Sequence, residues 1–332
     1  MDVTDLLARA ADAGASDLHL AAGDVPMLRI DGALQRMAQP RVSTPALRDA
    51  LAPLLERHHC QQWLQGDELD LALDLDGLGR FRVNLFRQHN GLAAAFRLIA
   101  PRIASVTELD LDQVYQAVAA QADGLVLIGG PTGSGKSSTL AALIDRLNRE
   151  RALHIVTLED PVEVIHSGHR SLVNQREIGR HCRDVAQGLR SALRQDPDVI
   201  MVGELRDLEA IRLALRAAQT GHLVLATVHT RSAAGSIDRL VEVFAAEEKP
   251  LVRTLLADSL RLVVVQRLIK RVGPGRVAAR EVLVATPAVR NLIREGRVAQ
   301  LCSVMQAGAA QGMRTMESAL QVLREQGQIS AG

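Results

Sequence analysis

Residues 130–137 read GPTGSGKS, and this short segment constrains the fold more than any other part of the 332-residue chain. It matches in full the pattern Gly, any four residues, Gly-Lys, then Ser or Thr, in which backbone N–H groups and a helix N-terminus surround a diphosphate. An apolar run, LVLIGG, leads into the segment, and a helical pattern follows it. Because such a loop needs a strand before it and a helix after it, the sequence predicts an α/β fold.

We name residues 130–138 the phosphate loop and expect all of them to contact a bound nucleotide. Lys136 would reach the β- and γ-phosphates of ATP, and the Ser137 hydroxyl would bind Mg²⁺. The predicted nucleotide-binding residues are Gly130, Pro131, Thr132, Gly133, Ser134, Gly135, Lys136, Ser137 and Ser138. The sequence therefore predicts ATP and Mg²⁺ as the cofactors.

The composition is that of an ordinary globular protein, with 47% hydrophobic and 23% charged residues. A formal net charge of +1 gives no overall attraction to DNA or to anionic lipid. Aromatic residues make up only 2% of the chain, so few rings are present to stack on bases. We therefore expect a protein that does not bind nucleic acid.

The sequence also predicts a cytoplasmic protein. Its apolar runs are too short to span a bilayer, and its first residues are acidic where a secretory signal would be basic. Cys60, Cys182 and Cys302 lie far apart, which is typical of a chain from a reducing compartment. A role at a membrane would then depend on partners.

Two domains are expected. Residues 69–99 alternate polar and apolar side chains around the turns Asp76-Gly77 and Asn90-Gly91, which predicts an antiparallel meander with one buried face. We place the first domain at residues 1–100, a linker at 101–112 and the second domain at 113–332. In the second domain apolar runs alternate with helical patterns, which favours a largely parallel sheet, and the last sixty residues or so are predicted to be mostly helical.

Acidic residues follow two of these apolar runs. Glu204 ends DVIMVGE and is the first choice for the Mg²⁺ shell, because open α/β sheets bind ligands at the carboxyl ends of their strands. Glu159, Asp160 and Glu163 follow HIVTL, and one of them, Glu163 by preference, is the candidate general base for the attacking water. A helix cap or a solvated turn is the alternative interpretation, and it weighs most for Asp160.

Two histidines flank the run LVLATV. His222 directly precedes it and His229 directly follows it, so an extended strand would separate the two imidazole rings by roughly 23 Å. Both cannot contact one γ-phosphate, and His229, at the carboxyl end, is the better placed to do so. His222 either faces a neighbouring subunit or caps the preceding helix.

Five segments together resemble the secretion ATPase superfamily and, within it, the type IV pilus retraction ATPases of the PilT family. They are GPTGSGKSS, LEDPVE, VGELRD, TGHLVLATVHT and AVRNLIRE. The resemblance extends from GASDLHL near the start to MQAGAAQGM near the end. AVRNLIRE is the retraction-specific segment, with Val289 where the family usually has Ile, and the tetracysteine insert of assembly and secretion relatives is missing.

The resemblance implies an α/β fold with a RecA-like P-loop ATPase domain and a smaller α+β PAS-like N-terminal domain. It also implies a homohexamer in which ATP lies between the two domains of one subunit. In GRFRVN, residues Arg80, Arg82 and Asn84 share one strand face, and Arg97 lies on a neighbouring strand. By family likeness Arg82 and Arg97 are expected to hold the γ-phosphate, while an ordinary surface role stays open for Arg80 and Arg82.

AVRNLIRE by itself predicts an amphipathic helix with Val289, Leu292 and Ile293 inward and Arg290 and Arg294 outward. The resemblance makes this helix a site needed for retraction. The residues that we assign to it are Arg290, Asn291, Leu292, Arg294 and Glu295.

The implied function is a motor ATPase that drives type IV pilus retraction and twitching motility through nucleotide-dependent domain rotation. Its implied partners are an inner-membrane pilus platform protein and a paralogous retraction ATPase, at the inner-membrane base of the pilus machine. The alternative within the superfamily is a pilus assembly or type II secretion ATPase. A nucleotide-sensing regulator and a DNA translocase are weaker alternatives, because Glu163, Glu204 and His229 are all present and no nucleic-acid surface is apparent.

Overall fold

A computed structural model describes residues 2–99 and 102–330. The chain divides into two compact units. The first comprises Met1–Arg102 together with the short segment Asp160–Ile165, and the second comprises Ile103–Glu159 and His166–Gly332. Val106 and Leu111, which fall in the predicted linker, are buried in a core cluster of the second unit.

The first unit is built on one antiparallel sheet with the strand order β3-β2-β1-β6-β5-β4. Its strands are β1 (Asp17–Ala21), β2 (Met27–Ile30), β3 (Ala33–Arg36), β4 (Leu69–Leu75), β5 (Gly79–Gln88) and β6 (Gly91–Leu98). Its helices are α1 (Val3–Asp12), α2 (Thr44–Leu51) and α3 (Arg57–Gln65). The predicted meander is the β4-β5-β6 part of this sheet.

Alternation along β5 explains how this sheet buries one face. Phe81 and Val83 are fully buried, whereas Arg80, Arg82 and Asn84 alternate with them on the opposite, partly exposed face. The predicted sharing of one strand face by these three polar residues is therefore confirmed. Helix α1 completes the core with its own apolar stripe.

The second unit is built on a sheet with the strand order β13-β12-β7-β11-β10-β8-β9, in which all strands run parallel except β13. Its strands are β7 (Gly124–Gly129), β8 (His154–Glu159), β9 (Leu172–Glu177), β10 (Val199–Val202), β11 (Leu223–Val228), β12 (Leu260–Lys270) and β13 (Arg276–Val284). Its helices are α4 (Asp112–Ala119), α5 (Lys136–Glu150), α6 (Val185–Ala192), α7 (Leu208–Gln219), α8 (Ala233–Glu242), α9 (Lys249–Ser259), α10 (Pro287–Arg294), α11 (Leu301–Ala307) and α12 (Met316–Glu325).

The central strands β7, β10 and β11 are buried along their whole length, which explains their nearly continuous apolar sequences. The predicted α/β fold with a largely parallel sheet is confirmed. β9 and the β12–β13 hairpin were not expected from the sequence. Because β13 lies within the last sixty residues, this part of the chain is less helical than expected. Among the helices of the described chain, none is long and apolar enough to cross a membrane.

The strand order determines where the functional residues meet. β7 leads directly into the phosphate loop and α5, and it pairs with β11, which pairs with β10, which pairs with β8. Because these strands are parallel, their carboxyl ends lie along one edge of the sheet. The residues that follow them therefore gather beside the phosphate loop.

Candidate active site

The phosphate loop depends on glycine at positions where no side chain fits or where the backbone is left-handed. A Cβ at Gly130 would lie 2.4 Å from Ser134 Oγ and 2.6 Å from the backbone oxygen of Gln266. Gly133 has φ +74° and open space beside it, as a loop that receives a ligand requires. Ser134 Oγ is buried and, in the part of the chain that the structure describes, has no hydrogen-bond partner. A phosphate oxygen would supply that partner, so the loop fits a bound phosphate.

The side chain of Lys136, the first residue of α5, extends back to the start of the phosphate loop. Its Nζ donates to the backbone oxygens of Gly130 at 2.9 Å and Pro131 at 3.0 Å. Burial lowers the pKa of this amine, and the negative charge of Glu204 acts in the opposite direction. Ser137 and Ser138 expose their side chains in the first turn of the same helix. The lysine, the two hydroxyl groups and the helix N-terminus are thus presented by one helical turn.

Glu204 and His229 meet at the carboxyl ends of β10 and β11. Glu204 Oε2 lies 3.2 Å from His229 Nε2 and 2.6 Å from Arg206 Nη2. Thr227 on β11 holds the turn that carries Glu204, since its hydroxyl donates to Gly203 O and its backbone oxygen accepts from Leu205 N at 3.0 Å. The structure therefore brings two predicted site residues together on the edge that carries the phosphate loop.

His222 lies at the other end of β11 and takes no part in this cluster. Its Nδ1 is 3.1 Å from the backbone oxygen of Ala217 and 3.3 Å from Thr220 Oγ1, at the C-terminus of α7. An Nδ1–H tautomer would donate to that carbonyl and satisfy one of the free backbone groups at the helix end. This is the helix-capping arrangement, one of the two that the sequence leaves open.

The three acidic residues at the end of β8 and just after it have different surroundings. Glu159 ends the strand, and its Oε1 accepts from Thr157 Oγ1 at 2.5 Å and from Gln175 Nε2 at 3.1 Å. Asp160 is exposed and begins the segment Asp160–Ile165, which belongs to the first unit. Glu163 lies within that segment and is partly buried.

Arg82 binds two carboxylates within the first unit. Its Nη2 and Nε contact Asp70 at 2.6 and 3.1 Å, and its Nη1 contacts Glu163 Oε1 at 2.8 Å. Hydrogen bonding to Asp70 raises the pKa of the Arg82 guanidinium further above its ordinary value. Arg80 contacts Asp74 and donates to the backbone oxygen of Val162 at 2.7 Å. Together the two arginines attach Asp160–Ile165 to β5.

Arg97 has a separate partner on the same sheet. Its Nε lies 2.8 Å from Asp17 Oδ1, while most of the arginine side chain stays exposed. Burial by itself would raise the pKa of Asp17, but hydrogen bonds from Ser16 and Arg97 outweigh burial, so the pKa is lowered. Arg97 and Arg82 are opposite each other in the β5–β6 ladder.

Gln266 on β12 is a site residue that was not predicted from the sequence. Its side chain is buried, its Nε2 donates to Ser134 O at 2.7 Å, and its Oε1 accepts from Thr139 Oγ1 at 2.9 Å. It therefore fixes the phosphate loop relative to α5. The available signal was a single uncharged polar residue after the apolar run LRLVVV, which is unusual for a buried strand.

AVRNLIRE forms α10 with its flanking residues. Val289 and Ile293 are fully buried and Leu292 is partly buried, as the amphipathic pattern predicts. Arg294 is exposed and contacts Asp258 at 2.7 Å, and Asn291 donates to Glu295 Oε1 at 2.7 Å. The expected outward direction of Arg290 is only partly correct. Arg290 is half-buried, and its Nε is buried with no hydrogen-bond partner among the described atoms.

The oxygen atoms of Ser137 and Glu204, near the phosphate loop, suit a metal ion that is shared with a nucleotide. Within residues 2–99 and 102–330, no three His, Cys, Asp or Glu side chains cluster as a metal site. Mg²⁺ at nucleotide sites is usually held by one or two protein groups together with phosphates and water, so the expected pair of Ser137 and Glu204 needs no such cluster. Their roles as Mg²⁺ ligands stay a prediction.

Comparison with known proteins agrees with this geometry. The protein-family model described as "Type II/IV secretion system protein" matches residues 1–329. The chain is 49% identical over 330 residues to the type IV pilus retraction ATPase PilT of Pseudomonas aeruginosa, covering 99% of this chain and 96% of that protein. It is 47% identical over 306 residues to a twitching motility protein of Neisseria gonorrhoeae, covering 92% of this chain and 82% of that protein.

A solved structure described as the pilus retraction motor PilT with bound ADP superposes with a TM-score of 0.91. The two chains are 40% identical, with 100% of this chain and 95% of that chain covered. A parallel sheet with a phosphate loop and an acidic residue at its edge defines a P-loop ATPase. The chain belongs to the type II/IV secretion system protein family and, within it, to the type IV pilus retraction ATPases. The resemblance read from its motifs is therefore confirmed, and the chain is an ATPase.

Proposed function

We propose that this ATPase acts as the motor subunit that retracts a type IV pilus, and that the working form is a homohexamer. The observation that carries the proposal is the meeting of Glu204 and His229 on the sheet edge that bears the phosphate loop. The names of the relatives support retraction as the work performed.

In this proposal the residues from Gly130 to Ser138 bind the phosphates of ATP. Backbone N–H groups and the N-terminus of α5 hold the β-phosphate, and Lys136 moves from its two carbonyl partners to the β- and γ-phosphates. Mg²⁺, held by Ser137 and by Glu204 in part through water, would neutralise charge on the phosphate oxygens. His229 would sense the γ-phosphate through Glu204.

The proposed reaction is attack of water on the γ-phosphorus of ATP. The bond to the β,γ-bridging oxygen breaks, ADP leaves with the bond electrons, and Glu163 accepts the proton of the attacking water. Glu159 and Asp160 precede Glu163 in the chain and would position this segment. The products are ADP and phosphate.

Arg82 and Arg97 are the proposed guanidinium groups for the γ-phosphate. They belong to the first unit, which we propose to be PAS-like, while the phosphate loop belongs to a RecA-like unit. The first unit ends at Arg102 and the second begins at Ile103, near the start of the predicted linker. Release of Arg82 from Glu163 would free the guanidinium for the phosphate and the carboxylate for the attacking water. Loss of the γ-phosphate would reverse that exchange, and the units would rotate relative to each other.

We propose an inner-membrane pilus platform protein as the partner that receives this motion, with a paralogous retraction ATPase as a second partner. The protein would then work on the cytoplasmic side, at the inner-membrane base of the pilus machine, and would reach the membrane only through partners. The near-neutral composition supports a mode of action without nucleic acid.

The substitution Glu204→Gln tests the proposal. It keeps the size of the side chain and removes its charge, so nucleotide affinity should stay within about three-fold while turnover falls by about a hundred-fold or more. Phosphate release and ADP binding measure the two effects. Glu317→Gln, an exposed position on α12, is the matched control and should behave as wild type. Wild-type turnover of the Glu204 variant would overturn the assignment of this edge as the active site.

A further inference from the structure

We propose that the first unit has a second ligand site, which binds a small organic anion carrying a phosphate or carboxylate group. The site is a cavity of about 480 Å³, a size typical of small-molecule pockets and larger than one inorganic anion needs. Its walls include Thr44, Arg48, Trp63, Arg87, His89 and Leu92, and no residue of the phosphate loop.

Three elements distant in sequence build this cavity. Thr44 and Arg48 are four residues apart on α2 and therefore lie on one helix face, with Thr44 in the first turn. Arg87 is near the end of β5, and His89 follows it by two residues, before β6 begins. Trp63 comes from α3, where its backbone oxygen accepts from Arg87 Nη2 at 3.3 Å. That bond holds Arg87 beside Trp63 in the cavity wall.

The charge of the cavity wall is entirely basic. Arg48, Arg87 and His89 line it, and no Asp or Glu does. The Arg48 guanidinium is exposed and has no ion-pair or hydrogen-bond partner among the described residues.

Five arginines of the first unit that do not line the cavity form ion pairs with carboxylates. The pairs are Arg9–Asp5, Arg36–Asp24, Arg80–Asp74, Arg82–Asp70 and Arg97–Asp17. The unit as a whole carries more Asp and Glu than Arg, so the basic cavity stands out from its surroundings. A cavity that gathers basic groups without acids favours an anionic ligand.

The apolar part of the wall indicates that the ligand has an organic body. Trp63 and Leu92 are the large apolar side chains of the cavity wall, and they are 1% and 6% exposed. Trp63 Nε1 is also buried and lacks an acceptor within the described structure, whereas buried indole N–H groups usually have one. A ligand with an apolar ring and an anionic group would match the apolar and the basic residues of the wall.

Trp63 is the only tryptophan in the chain, so its fluorescence reports on this cavity selectively. Phenyl phosphate, titrated into the full-length protein at constant ionic strength, should produce a saturable change in Trp63 emission. We expect a dissociation constant on the order of 1 mM or below. Inorganic phosphate should bind at least about ten-fold more weakly, because it lacks the apolar ring.

Substitutions identify the site that responds. Arg48→Gln should weaken phenyl phosphate binding by about ten-fold or more, since it removes a charge-assisted hydrogen bond. Arg57→Gln changes an exposed arginine of α3 that does not line the cavity, and it should leave binding unchanged. Lys136→Ala should also keep the response, which separates this site from the phosphate loop. Circular dichroism confirms that each variant is folded.

Three results would overturn the inference. They are a response that does not saturate, a response that survives Arg48→Gln unchanged, and a response that is lost in Lys136→Ala. Equal affinity for inorganic phosphate and phenyl phosphate would overturn the assignment of an organic ligand.

Discussion

Arg82 Nη1 lies 2.8 Å from Glu163 Oε1, and this ion pair joins two residues that have different proposed roles in one reaction. Arg82 stands on β5, and Glu163 stands on the segment that follows β8, yet both belong to the first unit. Asp70 holds the other edge of the same guanidinium. In the proposed mechanism, a triphosphate that attracts Arg82 would compete with these two carboxylates, and that competition would link nucleotide binding to the position of Glu163.

The first prediction concerns Arg82. Arg82→Gln should reduce the rate of phosphate release by about a hundred-fold or more, because a guanidinium that stabilises developing charge is lost. ADP affinity should change by less than about three-fold, since ADP lacks the γ-phosphate. Arg36→Gln removes a surface ion pair of the same unit and is the control. Wild-type turnover in Arg82→Gln would exclude the proposed role.

The second prediction concerns Gln266. Gln266→Met removes both hydrogen bonds to the phosphate loop and α5, leaving Ser134 O and Thr139 Oγ1 without this partner. We expect the free energy of unfolding to fall by about 1–3 kcal/mol and the KM for ATP to rise by about ten-fold. Denaturant unfolding and steady-state kinetics measure the two effects. Gln321→Met, on the exposed face of α12, should change neither, and an unchanged KM in Gln266→Met would refute a positioning role.

Site residues could be predicted from the sequence where they lie close together along the chain or follow the strands of the parallel sheet. The phosphate loop is contiguous, and the strand-end rule placed Glu204 and His229 beside it because the sheet is parallel. Gln266 lies 132 residues from Ser134, so only the β12–β7 pairing, which the sequence does not reveal, brings them together.

The Arg82–Glu163 pair was hidden for a similar reason. The two residues are 81 positions apart, and no local pattern in LEDPVEVI shows that Asp160–Ile165 belongs to the first unit. The basic cavity likewise assembles from α2, α3 and the β5–β6 turn, and each of these elements alone resembles an ordinary solvated surface.

The third prediction concerns α10. Replacing Arg290 and Arg294 together by Ala should leave ATP turnover near wild type but abolish pilus retraction, because neither residue belongs to the phosphate site. Loss of the exposed Arg294–Asp258 pair should cost less than about 1 kcal/mol of stability. Arg324→Ala on α12 is the control, and twitching motility reports on retraction. Unaltered motility of the double variant would exclude a role of Arg290 and Arg294 in retraction.

The fourth prediction concerns the pH dependence of stability at His166. Burial lowers the pKa of this imidazole below its ordinary value of 6.5, and the charge of Asp145 opposes that shift. The unfolded chain then binds a proton more readily than the folded one, so this contribution to stability is present above pH 6.5 and is lost as the pH falls towards the folded-state pKa.

His166→Gln should accordingly flatten the decline of the thermal unfolding midpoint on acidification below that pH. His169→Gln, at an exposed neighbouring position, should leave the profile of the wild type intact. Parallel profiles for wild type and His166→Gln would show that the buried imidazole does not contribute.

The central claim is that nucleotide bound by the phosphate loop powers retraction, and Lys136→Ala tests it most directly. Phosphate release is measured on the purified protein, and retraction is measured in a piliated bacterium that lacks its own retraction ATPase. Both activities should fall to background in Lys136→Ala, while Lys270→Ala, at an exposed lysine at the end of β12, should match wild type in both. Wild-type phosphate release or wild-type retraction by Lys136→Ala would contradict the account.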